Sequence, residues 1–290
     1  MLWDPWRIPL RHASRTAVLS AVGRALHLDG RGPYVFRDDL ALPLAGEAGT
    51  AVADRLRAEL SDTQLLSFSR WTSLRARFVE DAVEQVIAAG IRQYVILGAG
   101  LDSFAYRRHE LLTRARVFEV DQPDSQEWKR SRLKQLQLEI PQSLVFVPVD
   151  FERESLDDRL RRAGFDETQP AFFSWIGVTM YLGLDAVEMT LRSIASLARG
   201  TRIVMTYDVP QETLSGMQRE VRDAISRVVS QLGEPFLTAF EPREIELLLL
   251  RVGFLDIRHY APADLVGQYL DQEEELRIGG PQRLLSATVS

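Results

Sequence analysis

Apolar positions follow two rhythms along this chain. Up to about residue 92 they recur at helical spacing. Ala17, Val18, Ala21, Val22, Ala25 and Leu26 fall three and four apart and predict a helix over 13–28. A second helix is expected over about 51–59. A third would run through Ala89, with Leu74, Phe78, Val79, Ala82, Val83, Val86 and Ile87 as its apolar face, Ser73 as its cap and Gly90 as its stop. Turn-rich residues Asp29-Gly30-Arg31-Gly32-Pro33 and Asp38-Asp39 separate the first two helices. From Gln93 the rhythm changes to short apolar runs at 93–97, 116–120, 144–149, 171–176 and 201–207. Such runs are the signature of strands buried on both faces. Helical stretches lie between them, near 104–111, 126–139, 156–163 and 186–198, the last capped by Asp185. Alternation of this kind predicts an α/β fold with a parallel, doubly wound sheet. After residue 208 a helix within 210–233 interrupts it, with Met217, Val221, Ile225, Val228 and Val229 on one face. A helix over 244–251 and strands over 254–260 and 283–289 follow. The expected organisation is an N-terminal helical cap over 1–92 and a core over 93–290. That core carries a seven-stranded, mostly parallel sheet and a helical insertion at about 210–240.

Composition narrows the function. Among 290 residues 46% are hydrophobic and 26% charged, as in soluble globular proteins. A net charge of −6 argues against a nucleic-acid or anionic-membrane binder, either of which needs a basic face. With no cysteine, thiolate chemistry and disulfides are excluded. No apolar run is long enough for a bilayer, and Met1-Leu2-Trp3-Asp4-Pro5-Trp6 does not read as a secretory signal, so a cytoplasmic location is expected. The acidic run Glu273-Glu274-Glu275 reads as solvated.

The chemistry gathers at Leu97-Gly98-Ala99-Gly100-Leu101-Asp102-Ser103, an apolar strand breaking into a glycine turn. In an open α/β sheet that is where a nucleotide crevice forms. Asp121, 21 residues after Gly100, ends the next strand, where a carboxylate can accept from both hydroxyls of an adenosine ribose; the plain alternative is a helix cap. The pair by itself fits a nicotinamide enzyme or a methyl-donor enzyme. Three features favour the second. The third glycine of the dinucleotide fingerprint is missing. Asp150 ends the third strand within reach of an adenine amino group. No tyrosine stands four residues before Lys129 or Lys134, so the Tyr-x-x-x-Lys pair of short-chain dehydrogenases is absent.

Three runs carry a resemblance: Arg92-Gln93-Tyr94-Val95-Ile96-Leu97-Gly98-Ala99-Gly100-Leu101-Asp102-Ser103, then Phe118-Glu119-Val120-Asp121-Gln122-Pro123, then Ser174-Trp175-Ile176-Gly177-Val178-Thr179-Met180-Tyr181-Leu182. With Ser14-Arg15-Thr16-Ala17, Arg24-Ala25 and Arg75-Ala76-Arg77-Phe78, the chain resembles the leucine carboxyl methyltransferase family. It is most similar to the bacterial branch of S-adenosylmethionine-dependent methyltransferases that includes polyketide carboxyl- and O-methyltransferases. The resemblance implies a Rossmann-like methyltransferase fold whose last strand is antiparallel. It also implies S-adenosyl-L-methionine as donor and S-adenosyl-L-homocysteine as product. Arg75 would pair with the carboxylate of the donor's methionine part, Gly98 and Gly100 would pass beneath the donor, and Asp121 would hold the ribose. Asp150 and Phe151 would bracket the adenine. The eukaryotic members carry a glutamate where Ile176 stands, and the arginine they place soon after the Asp150 position is out of register, with Glu152 next and then Arg153. Both departures weaken the case for a protein carboxy-terminus as acceptor. A small apolar or aromatic acceptor, polyketide-like, methylated on a carboxylate or hydroxyl, fits better. Tyr181 would position it, or is a core tyrosine. Phe68, Trp71, Tyr106, Tyr207, Phe236 and Phe240 are candidates to line its pocket. His12, His27, His109 and His259 lack metal spacing, and His109 is the expected cap of the helix after the glycine turn. A NAD-dependent oxidoreductase and a donor-binding protein without catalysis are the alternatives.

Overall fold

The computed structural model describes residues 14–29, 34–214, 216–231, 236–270 and 280–290, without the side chains of Met217 and of 228–231. The start of the chain, His12, the turn residues 30–33, the Glu273-Glu274-Glu275 run and the expected apolar positions Met217, Val228 and Val229 lie outside that description.

Strands β1 (Gln93–Leu97), β2 (Arg116–Asp121), β3 (Leu144–Pro148), β4 (Phe172–Trp175), β5 (Arg202–Asp208), β6 (Phe254–Tyr260) and β7 (Gln282–Val289) form one sheet in the order β3-β2-β1-β4-β5-β7-β6. The strands from β3 to β5 pair in parallel; β7 is antiparallel to both β5 and β6. Alternate residues of β1 serve opposite faces. Val95 and Leu97 pack against helices α7 (Leu156–Arg162), α8 (Leu184–Ala195) and α10 (Pro242–Val252). Tyr94 and Ile96 pack against α3 (Asp62–Ala88) and α11 (Pro262–Tyr269). A third apolar cluster joins α1 (Arg15–Asp29) and α2 (Ala41–Glu59) to Leu101, to Leu133 of α6 (Pro123–Gln135) and to Ala224 of α9 (Gly216–Gln231). The insertion helix α9 therefore touches the N-terminal helices.

Several boundaries differ from the sequence reading. The third helix begins eleven residues before Ser73, which sits buried in mid-helix. Its cap is Ser61, in a reciprocal box: Gln64 N donates to Ser61 Oγ at 3.3 Å, and Ser61 N to Gln64 Oε1 at 3.0 Å. Helix α2 extends back to Ala41 across a break at Gly46. Leu44, Ala45 and Ala48 give that extra segment an apolar face buried in the N-terminal cluster. Asp185 lies in the first turn of α8, whose N-cap is Gly183. Helix α11 was not expected at all. Its Leu265 and Val266 pack in the core beside α3.

Candidate active site

The crevice opens at the carboxyl ends of the strands, where the order reverses between β1 and β4. Gly98 N and Ala99 N both donate to Val120 O, at 2.8 and 3.0 Å, folding the chain back over the end of β2. Gly98 and Gly100 have φ of +67° and +48°, conformations that favour glycine. Both also stand where other walls come close. A Cβ on Gly98 would lie 2.3 Å from Val178 Cγ2, and one on Gly100 2.8 Å from Ala17 Cβ. Absence of these two side chains lets the post-β4 loop and α1 close on the turn. The result is a cavity of about 550 Å³, in the range of small-molecule sites.

The cavity brings together Arg75, Gly98, Gly100, Asp121, Phe151 and Tyr181, but not Asp150. Asp121 sits at the end of β2. Its Oδ2 accepts the Gly100 N–H at 2.5 Å and its Oδ1 accepts Gln122 N–H at 2.7 Å, so the acid braces the glycine turn as well as lining the cavity. Asp150 is tied into its own turn. Its Oδ1 accepts Glu152 N–H at 3.1 Å, and Arg153 Nε stands 3.7 Å from Oδ2. Phe151 is buried against Trp175, with centroids 6.4 Å apart, and shows an edge to the cavity. His109 does not cap the helix after the turn: it is exposed in the later α5 (His109–Leu112), and Asp102 Oδ1 accepts the Phe104 N–H at 2.7 Å at the start of α4 (Phe104–Arg107).

Arg75 is the principal charge. It is buried, and its Nη1 donates to Gln282 Oε1 at 2.7 Å and its Nη2 to Ser20 Oγ at 3.0 Å. Among the described residues no carboxylate lies within 4.0 Å of it. Burial, with Arg24 nearby, lowers its pKa to about 10, so it stays a cation at neutral pH. Two other arginines that line the cavity are paired with carboxylates. Arg24 Nε pairs with Asp38 at 2.8 Å, and Arg107 pairs with Asp38 and Glu80. A buried cation with hydrogen-bonding neighbours but no counter-ion in contact suits an anionic ligand. With an acid at the far side of the glycine turn, it matches a ligand with a carboxylate at one end and a ribose at the other. These residues fit S-adenosylmethionine.

Tyr181 lines the cavity from a 3₁₀ turn (Thr179–Tyr181) after β4 and stacks on Phe236, with centroids 5.4 Å and planes 26° apart. The segment after α9 is stitched to that turn: Leu237 N donates to Met180 O at 2.7 Å, and Thr238 Oγ1 to Leu182 O at 2.5 Å. None of the six candidate aromatics lines the cavity. Tyr207 and Phe240 are core, and Tyr207 Oη bonds His259 Nδ1 at 2.8 Å. Trp71 Nε1 donates to Gln282. Phe68 packs among the N-terminal helices and Tyr106 between clusters, while Phe236 reaches the cavity only through Tyr181. Leu237, 62% exposed, lines it instead. The sequence reading assigned no role to Ser20, Arg24, Asp38 or Gln282. Ser20 and Arg24 stand one and two helical turns beyond the Ser14–Ala17 run, which is a local signal. For Gln282, 207 residues from Arg75, there was none.

Comparison with known proteins gives the same answer. The family profile of leucine carboxyl methyltransferases matches residues 17–195. YktD of Bacillus subtilis (strain 168), named as a candidate S-adenosyl-L-methionine-dependent methyltransferase, is 32% identical over 275 residues, covering 87% of this chain and 90% of that protein. A similarly named protein of Mycolicibacterium paratuberculosis (strain ATCC BAA-968 / K-10) is 36% identical over 239 residues, covering 78% and 77%. Among solved structures, a DUF574 family protein of Streptomyces avermitilis superposes with TM-score 0.64 at 16% identity, covering 98% of this chain and all of that one. A methyltransferase candidate of Thermobifida fusca YX superposes with TM-score 0.61 at 20% identity over the whole of both. At those identities the two structures speak to the fold alone. The long family match and the near full-length relative decide the matter: the chain belongs to the leucine carboxyl methyltransferase family of S-adenosylmethionine-dependent methyltransferases.

Proposed function

We propose that this methyltransferase transfers the methyl group of S-adenosylmethionine to an oxygen of a small apolar or aromatic molecule, polyketide-like, and that the oxygen belongs to a carboxylate in preference to a hydroxyl. Arg75 carries the reading of the donor site, as a buried cation facing the cavity without a carboxylate in contact. Arg75 would take the donor's carboxylate, Asp121 the ribose hydroxyls, and Phe151 an apolar face of the adenine. Asp150, turned into its own loop, would meet the adenine amino group only if the Asp150–Glu154 turn reoriented. The donor's sulfonium makes its methyl carbon electrophilic, and an acceptor oxygen displaces it in line. The protein's task is alignment and exclusion of water. Tyr181, backed by Phe236, would orient the acceptor, with Leu237 and Ile176 as apolar wall. No described histidine lines the cavity, and Glu80 is bound to Arg107 and Arg108. A carboxylate acceptor, ionised at neutral pH, needs no base, whereas a phenol would benefit from one. The setting we propose is cytoplasmic, without nucleic-acid or membrane partners; no described helix is long and apolar enough to cross a membrane.

The test is calorimetric titration with S-adenosylmethionine, S-adenosylhomocysteine and NAD in parallel, followed by a screen of carboxylic acids and phenols for S-adenosylhomocysteine formation. Saturable binding of the first two, and turnover with acids ahead of phenols, is the expected result. Binding of NAD alone would overturn the donor. Turnover with phenols alone would overturn the acceptor class.

A further inference from the structure

The antiparallel placement of β7 brings its first residue to the carboxyl end of β5, at the edge of the cavity: Gln282 pairs in register with Asp208. Gln282 lies beyond the family-matched segment and does not itself line the cavity. Its side chain, half-buried, is nonetheless at the centre of a polar knot with the buried Trp71 and Arg75. Oε1 accepts from Arg75 Nη1 at 2.7 Å and from Trp71 Nε1 at 2.9 Å. Indole and guanidinium are donors only, so two of them on one atom require the amide oxygen there and fix which way the amide points. The amide nitrogen then faces the Met180 sulfur, 4.0 Å away. A neutral acceptor at this position also matters electrostatically. It holds Arg75 in place without cancelling its charge, which a carboxylate at the same place would do.

We infer that Gln282 is a positioning residue for donor binding: its amide oxygen, oriented by Trp71 and Arg75 together, holds the Arg75 guanidinium in the plane in which it meets the donor's carboxylate and leaves that charge available. The inference rests on the proposed donor site. It predicts that Gln282 matters only to ligands that carry the carboxylate.

The experiment compares two probes by calorimetry, S-adenosylhomocysteine and 5′-methylthioadenosine. Both have the adenosine and the thioether, but the second lacks the amino-acid carboxylate. Gln282→Met should raise the Kd of S-adenosylhomocysteine about tenfold and leave that of methylthioadenosine within about twofold, as expected for loss of an interaction with a charged group. Gln282→Asn keeps the amide but draws its oxygen back from Arg75. It should show the same selectivity at reduced size, and it carries the test if the methionine variant does not fold. Arg75→Ala should show the selectivity most strongly, and adding Gln282→Met to it should cost nothing further. Equal weakening of both probes by the Gln282 variants would make Gln282 merely structural and overturn the inference, as would no effect on either. If Arg75→Ala itself spares S-adenosylhomocysteine, the donor-site reading fails and takes this one with it. If Arg75→Ala discriminates and the Gln282 variants do not, only the role of Gln282 fails.

Discussion

The two sides of the cavity are made of different material. The proposed donor side is built from strand ends of the central sheet: the turn after β1, Asp121 at the end of β2, Phe151 after β3, with Arg75 held from the half-buried start of β7. Its polar atoms are fixed by bonds to the sheet. The proposed acceptor side is built from the 3₁₀ turn after β4 and the segment following α9. It is joined by one ring stack, a few backbone bonds and the Arg222 guanidinium, 4.5 Å from the Phe236 centroid and 3.2 Å from Asp208. A site divided in this way keeps one ligand constant and lets the other vary. Changes on the donor side should therefore abolish binding or folding, and changes on the acceptor side should alter turnover at nearly constant donor affinity.

Asp121→Ala is the most severe break. It removes the proposed ribose acceptor and the brace on Gly100 N and Gln122 N together. Hydrogen bonds to a charged group contribute about 1.5–3 kcal/mol each, so S-adenosylhomocysteine affinity should fall at least about a hundredfold. Unchanged affinity in a titration would remove Asp121 from the site. Gly98→Ala comes next and acts on folding. Its positive φ costs about 1–2 kcal/mol for a residue with a Cβ, and contact with Val178 adds to that. We expect a loss of about 2–4 kcal/mol in denaturant unfolding. Val178→Ala in the same chain should recover the part due to the clash. No recovery would mean the turn's conformation alone sets the cost.

Asp208 lies between the two sides. Burial raises its pKa to about 6, against the pull of Arg222, Gln282 and Arg75. Between the unfolded value of 3.8 and about 6 the folded chain holds the extra proton, so its stability falls as pH rises through that window. Asp208→Asn removes this slope. The variant's melting temperature relative to the parent should rise from pH 4 to pH 6 and then level off. Glu119, raised to about 7 by burial despite Lys129 at 2.6 Å, adds a similar slope that the Asn variant retains, so the difference between the two proteins isolates Asp208. A difference independent of pH would place the ionisation of Asp208 elsewhere.

The same division governs what the sequence could reveal. Donor-side residues are legible because they sit where an apolar run stops: a glycine pair after β1 and an acid after β2 announce themselves by position along the chain. The strands were legible for the same reason, since burial on both faces leaves continuous apolar runs. Asp150 shows the limit of that logic. It stands two residues past the end of β3, and the turn there captures its carboxylate. Ser73 shows another: a serine before an apolar stretch looks like a cap until the box at Ser61 and Gln64 starts the helix earlier. Gln282 and the wall of Tyr181 depend on contacts between segments tens to hundreds of residues apart. Local periodicity carries no trace of these, so none of the six aromatics expected to line the pocket does so, and Phe236 supports its wall only through Tyr181.

Phe236→Ala should give the smallest effect and the most informative one. The stack on Tyr181 contributes about 0.5–1.5 kcal/mol beyond the area it buries, and the backbone bonds from Leu237 and Thr238 to the turn remain. Donor affinity should stay within about twofold, because Arg75 is held by Gln282 and Ser20 and the glycine turn by Val120 and Asp121, none of which the substitution alters. Turnover with an acceptor found in the screen should fall several-fold, chiefly as a raised KM, because Tyr181 loses the ring that sets its angle. A raised KM would mark the ring stack as part of the acceptor wall. A lost donor affinity with unchanged KM would show instead that the two sides are one unit, and would move the boundary between constant and variable parts of the site from Tyr181 outward to α9.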